Sequence, residues 1–389
     1  MIKILFLVPK FPPPTVGGLE KQAKLLMAEI NKSQNFVVDC LSFKFNQKHK
    51  FKTIVDSGNI QRVGSHSNRL GFKTFNSMLY IGWFLLNARR YSVVHAHCIT
   101  TVTLMCLIIS NILRIPTVLK MPNVGDYGLP GIKRSWLGIF KLFIIKRSSC
   151  FVSMCQESTE ELIRFDCKRS KIAGIPNGID LSEKTNDSFR NNETVNFAFI
   201  GRLSQEKNLD YLLDAWSNLI QKHGKLANLD IIGEGCMKHQ LALKINKLKL
   251  SNYVRMRGHI ENVDQKLGEY DVVILPSFFE GNSNVILESM KAGCCILASR
   301  ISGNKLQFGP TAHDLLFEGS NADELAYLCM DLINNRETLI EFKKYFRTRC
   351  SRMFNIKLNA ERYSCLYQEL SLNNGILNTS HYYLDDYTC

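Results

Sequence analysis

The feature that most constrains this chain is a doubled alternation. Short apolar runs, too short for buried helices, alternate with amphipathic segments of helical length, first over roughly 1–180 and again from about 194. Buried strands joined by crossover helices produce that pattern, so it predicts parallel sheets built from β-α-β units. In the first half Ile2–Val8, Val37–Phe43, Val93–His97, Pro116–Leu119 and Cys150–Met154 read as strands. Helices are expected from about Leu19 to Asn31 and up to Leu113. The second set of strands is Asn196–Ile200, Leu229–Ile232, Val254–Arg257, Val272–Leu275 and Cys294–Ser299, with helices at Leu209–His223 and Asn284–Ala292. A chain of 389 residues is long for one core and comfortable for two. The expected division is an N-terminal domain over 1–180, a polar linker over 181–193, a C-terminal domain over 194–365, and a tail over 366–389.

Charge is distributed unevenly between the halves. Residues 1–190 hold 27 Lys and Arg against 12 Asp and Glu, whereas residues 191–389 hold 22 against 23. A basic half implies an anionic partner such as nucleic acid, a membrane face or a phosphorylated lipid. Nucleic acid ranks last, because no binding motif or aromatic platform accompanies the charge. The segment Ile132–Arg147 mixes Trp136, Leu137, Phe140 and Phe143 with five cations, and reads as an amphipathic helix suited to an anionic bilayer. A core-facing helix with a solvated basic edge is the competing reading. The 13 Cys include no Cys-x-x-Cys, which suits a reducing compartment. The N-terminal apolar run closes at Pro9 without a cleavage site, and the stretch around Thr101–Leu119 is too interrupted to span a bilayer. The expected location is therefore cytoplasmic, peripheral on the inner face of the cell membrane.

Two segments carry the chemistry. In Phe199-Ile-Gly-Arg-Leu-Ser-Gln-Glu-Lys-Asn-Leu-Asp210 a buried strand ends at Gly201, and Arg202 and Lys207 flank the turn before a helix. Two cations beside a helix N-terminus can grip a diphosphate, although a solvated loop would look similar. In Leu275–Met290, Glu280 lies on a post-strand loop and Glu288 about one turn into the next helix, with seven residues between them. Gly281 permits close approach of a ligand, and Ser283 or Asn284 can cap the helix.

The run Glu280-Gly-Asn-Ser-Asn-Val-Ile-Leu-Glu288 resembles the E-x7-E motif of the family 4 retaining glycosyltransferases of the GT-B fold. Gly17-Gly-Leu-Glu20, Tyr91-Ser-Val-Val-His-Ala-His97, Pro176-Asn-Gly-Ile-Asp180, Gly201-Arg202 with Lys207, Ile232-Gly-Glu-Gly235, and Gly258 with Tyr270-Asp271 are similar to further family motifs, in order. The resemblance implies an α/β GT-B fold, with two Rossmann-like domains whose parallel sheets face across a cleft. It also implies a hexose-type transfer from a nucleotide-sugar donor, such as a UDP-sugar or GDP-mannose, to a glycan or lipid-linked acceptor in cell-surface polysaccharide or lipopolysaccharide synthesis.

By the same resemblance Glu288 holds the donor ribose, Glu280 the transferred sugar, and Arg202 with Lys207 the diphosphate, without metal or other cofactor. Gly17 and Gly18 present amides to the phosphates, and Gly281, Asn282, Ser283, Asn284, Gly233 and Gly258 complete the donor site. His97 lies near the acceptor or the sugar, with a strand-end structural His as the competing reading. Asn177, Gly178 and Asp180 belong to the interdomain hinge. No covalent nucleophile is expected, since only Glu280 lies near the sugar where other retaining enzymes place two carboxylates about 5 Å apart. Two departures stand out: Lys120 occupies a position where many members have His, and Ser302-Gly-Asn-Lys-Leu-Gln307 lacks the acid of a Gly-Gly-x-x-Glu loop. A catalytically altered sugar-nucleotide-binding protein, or a GT-B epimerase or disaccharide synthase, is the alternative.

Overall fold

The computed structural model describes residues 1–12, 17–44, 50–55, 58–64, 70–182, 194–224, 227–373 and 375–377. The expected linker lies outside the described residues from 183 onward, as does most of the tail. The chain divides into two compact units, one built from Met1–Asp180 and a segment beginning at Ile356, the other from Leu181–Asn355.

The first unit contains β1 (Ile2–Leu7), β2 (Phe36–Phe43), β3 (Lys52–Val55), β4 (Gly58–Val63), β5 (Val93–Ala96), β6 (Thr117–Lys120), β7 (Cys150–Ser153) and β8 (Ile172–Gly174). They form one sheet in the order β3-β4-β2-β1-β5-β6-β7-β8, parallel except for the antiparallel β3–β4 edge pair. Successive residues of β1 feed opposite cores. Ile4 and Phe6 enter one face, and Leu5 and Leu7 the other. A strand apolar on both faces must be covered on both, which explains its unbroken apolar run. β3, β4 and β8 lack a core-strand signature in the sequence, because they lie at or next to the sheet edges and are short or rich in polar residues.

The second unit contains β9 (Val195–Ile200), β10 (Ala227–Ile232), β11 (Val254–Gly258), β12 (Val272–Leu275), β13 (Cys295–Ser299) and β14 (Leu316–Phe317), ordered β11-β10-β9-β12-β13-β14. All its pairings are parallel. The motif residues Tyr270 and Asp271 tie this sheet together. The Tyr270 hydroxyl donates to Asp230 at 2.9 Å, and Asp271 accepts from the buried Lys343 ammonium at 2.7 Å and from the Asn196 amide at 3.0 Å.

Two expectations are corrected. The C-terminal domain does not run to 365: the helix Ile356–Leu372 returns to the first unit. Its buried stripe of Ile356, Ala360, Tyr363, Leu366, Tyr367 and Leu370 joins the core containing Ile4 and Phe6. With the helix Gly18–Ile30 it covers that face of the first sheet, and burial of each large side chain supplies about 1.5–3 kcal/mol. Its start is pinned by two hydrogen bonds, Ile356 amide to Ile179 carbonyl at 2.9 Å and Asn359 side-chain amide to Pro176 carbonyl at 2.8 Å. The segment 132–147, second, is not one helix. It breaks between Leu129–Arg134 and Gly138–Lys146, with Leu137 in the left-handed region at φ 57°. A Cβ on Gly138 would lie 2.2 Å from the Lys133 carbonyl oxygen, so glycine allows the chain to fold back at this point.

Candidate active site

Open α/β sheets place ligands where the strand order reverses, outside the carboxyl ends of the strands. In the second unit the chain leaves β9 toward β10 and β11 and then returns to the opposite side of β9 as β12. The reversal lies between β9 and β12. The loop after β9 carries Arg202 and Lys207, and the loop after β12 carries Glu280. These loops join across the reversal: Lys207 Nζ lies 2.5 Å from Glu280 Oε1, and the Phe278 amide donates to the Glu206 carbonyl at 2.9 Å. Ser277 Oγ also donates to Glu280 Oε1, at 3.0 Å. Both partners of the ion pair are largely shielded from solvent, so it is screened less than a surface pair. Arg202 stands apart, its side chain 75% exposed and its guanidinium 4.0 Å from Glu206. The two cations therefore share a loop but differ in restraint.

Glycines bring the neighbouring strand ends together. The Gly201 amide donates to Ile232 O at 3.0 Å, and the Gly233 amide to Gly258 O at 2.8 Å. A Cβ on Gly233 would fall 1.8 Å from the Gly201 carbonyl oxygen. Gly258 lies in the left-handed region at φ 69°.

Gly281, Asn282 and Ser283 are buried, and Ser283 is the N-cap of the helix Asn284–Ala292 without a side-chain cap bond. Its amide instead donates to Gln307 Oε1 at 3.0 Å, and Gln307 Nε2 donates to the Ser283 carbonyl at 2.8 Å. Glu288 is buried in the second turn of this helix, on the same segment as Glu280. A Cβ on Gly303 would meet the Glu280 carbonyl oxygen at 2.4 Å. The altered Ser302–Gln307 segment thus supports the Glu280–Ser283 loop from below, a role hidden in the sequence because the partners lie more than twenty residues apart. Phe278 and Phe279, half-exposed beside Glu280, were also missed, because aromatic residues after a strand read as core.

The first unit reverses strand order between β1 and β5. Gly17 and Gly18 follow β1, both exposed, at the N-terminus of the helix Gly18–Ile30. His97 follows β5. Burial first, and the Glu20 carboxylate second, push the Cys98 thiol up to about 12, so these two loops are electrostatic neighbours. His97 is buried and stacks on His95 with ring centroids 4.1 Å apart. Among the described residues neither nitrogen of its ring has a hydrogen-bond partner. His95 Nδ1 shares a 2.6 Å bond with the Tyr367 hydroxyl of the returning helix. Lys120 is buried at the end of β6 and donates to Asn177 Oδ1 at 2.9 Å, and burial lowers its ammonium to about 8. Asn177 and Gly178 are held within this unit, Gly178 by a reciprocal pair of bonds with Gln22 at 2.8 and 3.0 Å.

Burial, then His95 and Lys120, hold the His97 imidazole well below its ordinary 6.5, so it is neutral in the fold. The unfolded chain takes up that proton as pH falls below 6.5 and the native chain does not. His97 therefore has no effect on stability well above 6.5 and costs up to about 1.4 kcal/mol per pH unit below it. His97→Gln is expected to remove this slope. Urea unfolding between about pH 7 and pH 5 should show the variant losing less stability than the parent, and parallel losses would contradict a neutral buried His97.

Comparison with known proteins follows the same division. A family model described as "Glycosyltransferase Family 4" matches residues 16–183, and one described as "Glycosyl transferases group 1" matches residues 182–349. The chain is similar to an Escherichia coli UDP-Gal:alpha-D-GlcNAc-diphosphoundecaprenol alpha-1,3-galactosyltransferase, 24% identical over 74% of this chain and 78% of that protein. It is 22% identical to the capsular polysaccharide biosynthesis glycosyltransferase CapH of Staphylococcus aureus, over 96% of this chain and 100% of that one. Among solved structures, Anabaena HepE in complex with UDP-glucose superposes with a TM-score of 0.74 at 17% identity, covering 95% of this chain and 100% of HepE. Sucrose-phosphate synthase from Thermosynechococcus elongatus superposes with a TM-score of 0.79 at 16% identity, covering 96% and 100%. At these identities the superpositions speak to fold alone.

Proposed function

The chain is a GT-B-fold glycosyltransferase related to the group 1 and family 4 transferases, and from that premise we propose that it transfers a hexose-type sugar, with retention, from a nucleotide-sugar donor to a glycan or lipid-linked acceptor in cell-surface polysaccharide or lipopolysaccharide synthesis. The observation that carries this reading is the Lys207–Glu280 pair bridging the strand reversal of the second unit. The Gly303 backbone packs against the Glu280 carbonyl, and the same segment continues into the helix bearing Glu288.

Each residue then has a role that its surroundings suit. Lys207 and the exposed Arg202 neutralise the departing diphosphate, with no metal ion called for. Lys207 is held ready by Glu280, and Arg202 has the exposure to swing onto a ligand. The N-terminus of the helix Asn284–Ala292 adds oriented amides and a favourable dipole for the same charge. Glu280, oriented by Ser277 and Lys207, accepts from hydroxyls of the transferred sugar. Glu288 accepts from the ribose hydroxyls, while Gly233 and Gly258 keep the strand ends low enough for the nucleotide to approach. In the first unit Gly17 and Gly18 offer amides at a helix N-terminus. His97, being neutral, can donate or accept a hydrogen bond near the acceptor without bringing a second positive charge beside Lys120. A fixed charge in a shielded site, here Lys207, acts without reorganisation when the bond to the leaving group stretches, and that is the catalytic contribution proposed for it.

Similarity to transferases named for UDP-galactose and for capsular polysaccharide supports the donor class and the kind of product. Thermal unfolding with a panel of UDP- and GDP-sugars tests the reading. A cognate donor at about a hundred times its dissociation constant should stabilise by about 2.7 kcal/mol, raising the melting temperature by roughly 5–10 °C. Glu288→Ala should weaken that donor by about 10- to 100-fold, the worth of charge-assisted bonds to two hydroxyls. A panel with no stabilising member, or a Glu288→Ala variant binding like the parent, would remove the assignment.

A further inference from the structure

The helices over the Leu5–Leu7 face of the first sheet are apolar on both sides. Leu70–Asn87, Thr101–Ile112 and Gly138–Lys146 pack side by side, and their inner residues, including Tyr80, Leu107 and Ile145, fill one core. Their outer sides carry a second apolar set. Phe75, Met78, Leu79, Leu85 and Leu86 recur at helical spacing on the first, Met105 and Ile112 stand seven apart on the second, and Trp136, Ile139, Phe140 and Phe143 line the third and its leading turn. Leu86 is 82% exposed, Trp136 84% and Ile139 79%. An ordinary surface helix turns its polar face to water, and a contiguous apolar surface of this kind marks an interaction site.

Charge identifies the occupant. Residues 70–147 contain ten Lys and Arg and a single acid, Asp126. Exposed cations frame the apolar stripes: Lys73, Arg89 and Arg90 at the ends of the first helix, Arg114 after the second, and Lys133 and Arg147 around the third. Arg134 pairs with Asp126 and Lys146 with Asp166, while Arg147 lies over the Phe143 ring at 3.8 Å. We propose that this three-helix face is a docking surface for an anionic lipid bilayer, with Trp136 and its apolar neighbours entering the interface and the surrounding cations meeting lipid phosphates. A second copy of the chain would set like charges against each other, and a neutral partner would leave the cations unmatched. Among the described residues no helix is long and apolar enough to cross a membrane, so contact at this face is lateral. The inference deepens the lipid-linked-acceptor reading but rests on separate residues.

The test is co-sedimentation of the full chain with vesicles of phosphatidylcholine alone or with about one third phosphatidylglycerol, at low and high salt. Expected is at least tenfold stronger binding to the anionic vesicles, most of it lost at high salt, with a blue shift of Trp fluorescence that Trp136→Phe abolishes. A Trp136→Ser, Ile139→Ser, Phe140→Ser variant should lose at least tenfold in vesicle binding while keeping the parent's circular dichroism and melting temperature. Equal binding to both vesicle types, or triple-variant binding like the parent's, would overturn the proposal. So would a parent dimer in solution that the triple variant dissolves. Vesicle binding without any sugar-nucleotide stabilisation would leave this surface standing and remove the transferase assignment instead.

Discussion

Turnover of the Arg202→Ala, Lys207→Ala double variant is expected to fall by about a thousandfold or more, with donor affinity falling far less. The bond from sugar to phosphate must break with charge accumulating on the diphosphate, and the two cations act mainly on that developing charge. Removing one preorganised electrostatic group typically costs a factor of about 100 to 1,000. The single variants should be unequal. Lys207 sits 2.5 Å from Glu280 and fixes the carboxylate as well as offering charge, so its loss also frees Glu280, whereas Arg202 is an exposed arm 4.0 Å from Glu206. Lys207→Ala should therefore account for most of the double variant's loss, and combining it with Glu280→Gln should be less than additive. Steady-state kinetics against the donor identified by thermal shift would decide, and a double variant within threefold of the parent would sink the phosphate assignment.

Gly233→Ala should have the largest effect on folding. The new Cβ would stand 1.8 Å from the Gly201 carbonyl oxygen and 2.9 Å from its carbon, both backbone atoms that no rotamer change can move. The carboxyl ends of β9 and β10 would have to separate, breaking or stretching the Gly201–Ile232 and Gly233–Gly258 bonds. Two strained or lost buried hydrogen bonds with local backbone strain amount to about 3–4 kcal/mol, or roughly 6–15 °C in melting temperature for a domain of this size. Any donor stabilisation should vanish with the strand-end geometry. A variant melting within about 2 °C of the parent would show that β9 and β10 are not packed this way.

Much of this was legible from local pattern. The strands at 2–8, 196–200 and 272–275 and the helices at 209–223 and 284–292 follow from apolar periodicity and cap residues within each segment, and the structure places them within a residue or so. The Glu280–Glu288 segment was legible for the same reason, since both acids belong to one continuous loop and helix. Lys120 stood out only as a departure from a family pattern; its burial and its bond to Asn177 needed the fold. The pairing of Lys207 with Glu280 was not readable either, because 73 residues separate them and only the parallel crossover brings their loops together.

Sequence alone thus marked the buried central strands and most of their crossover helices, and it nominated the short runs proposed to carry chemistry, because those depend on neighbours a few positions away. Tertiary structure decided the rest: Gly303 beneath Glu280, Gln307 holding Ser283, the final helix returning to the first sheet, and the outward apolar stripes of 70–147. A helix that is apolar all round does not say in its sequence which side meets the core. Only packing against a sheet settles that, since the free energy of burial depends on the surface a side chain meets and not on its position in the chain.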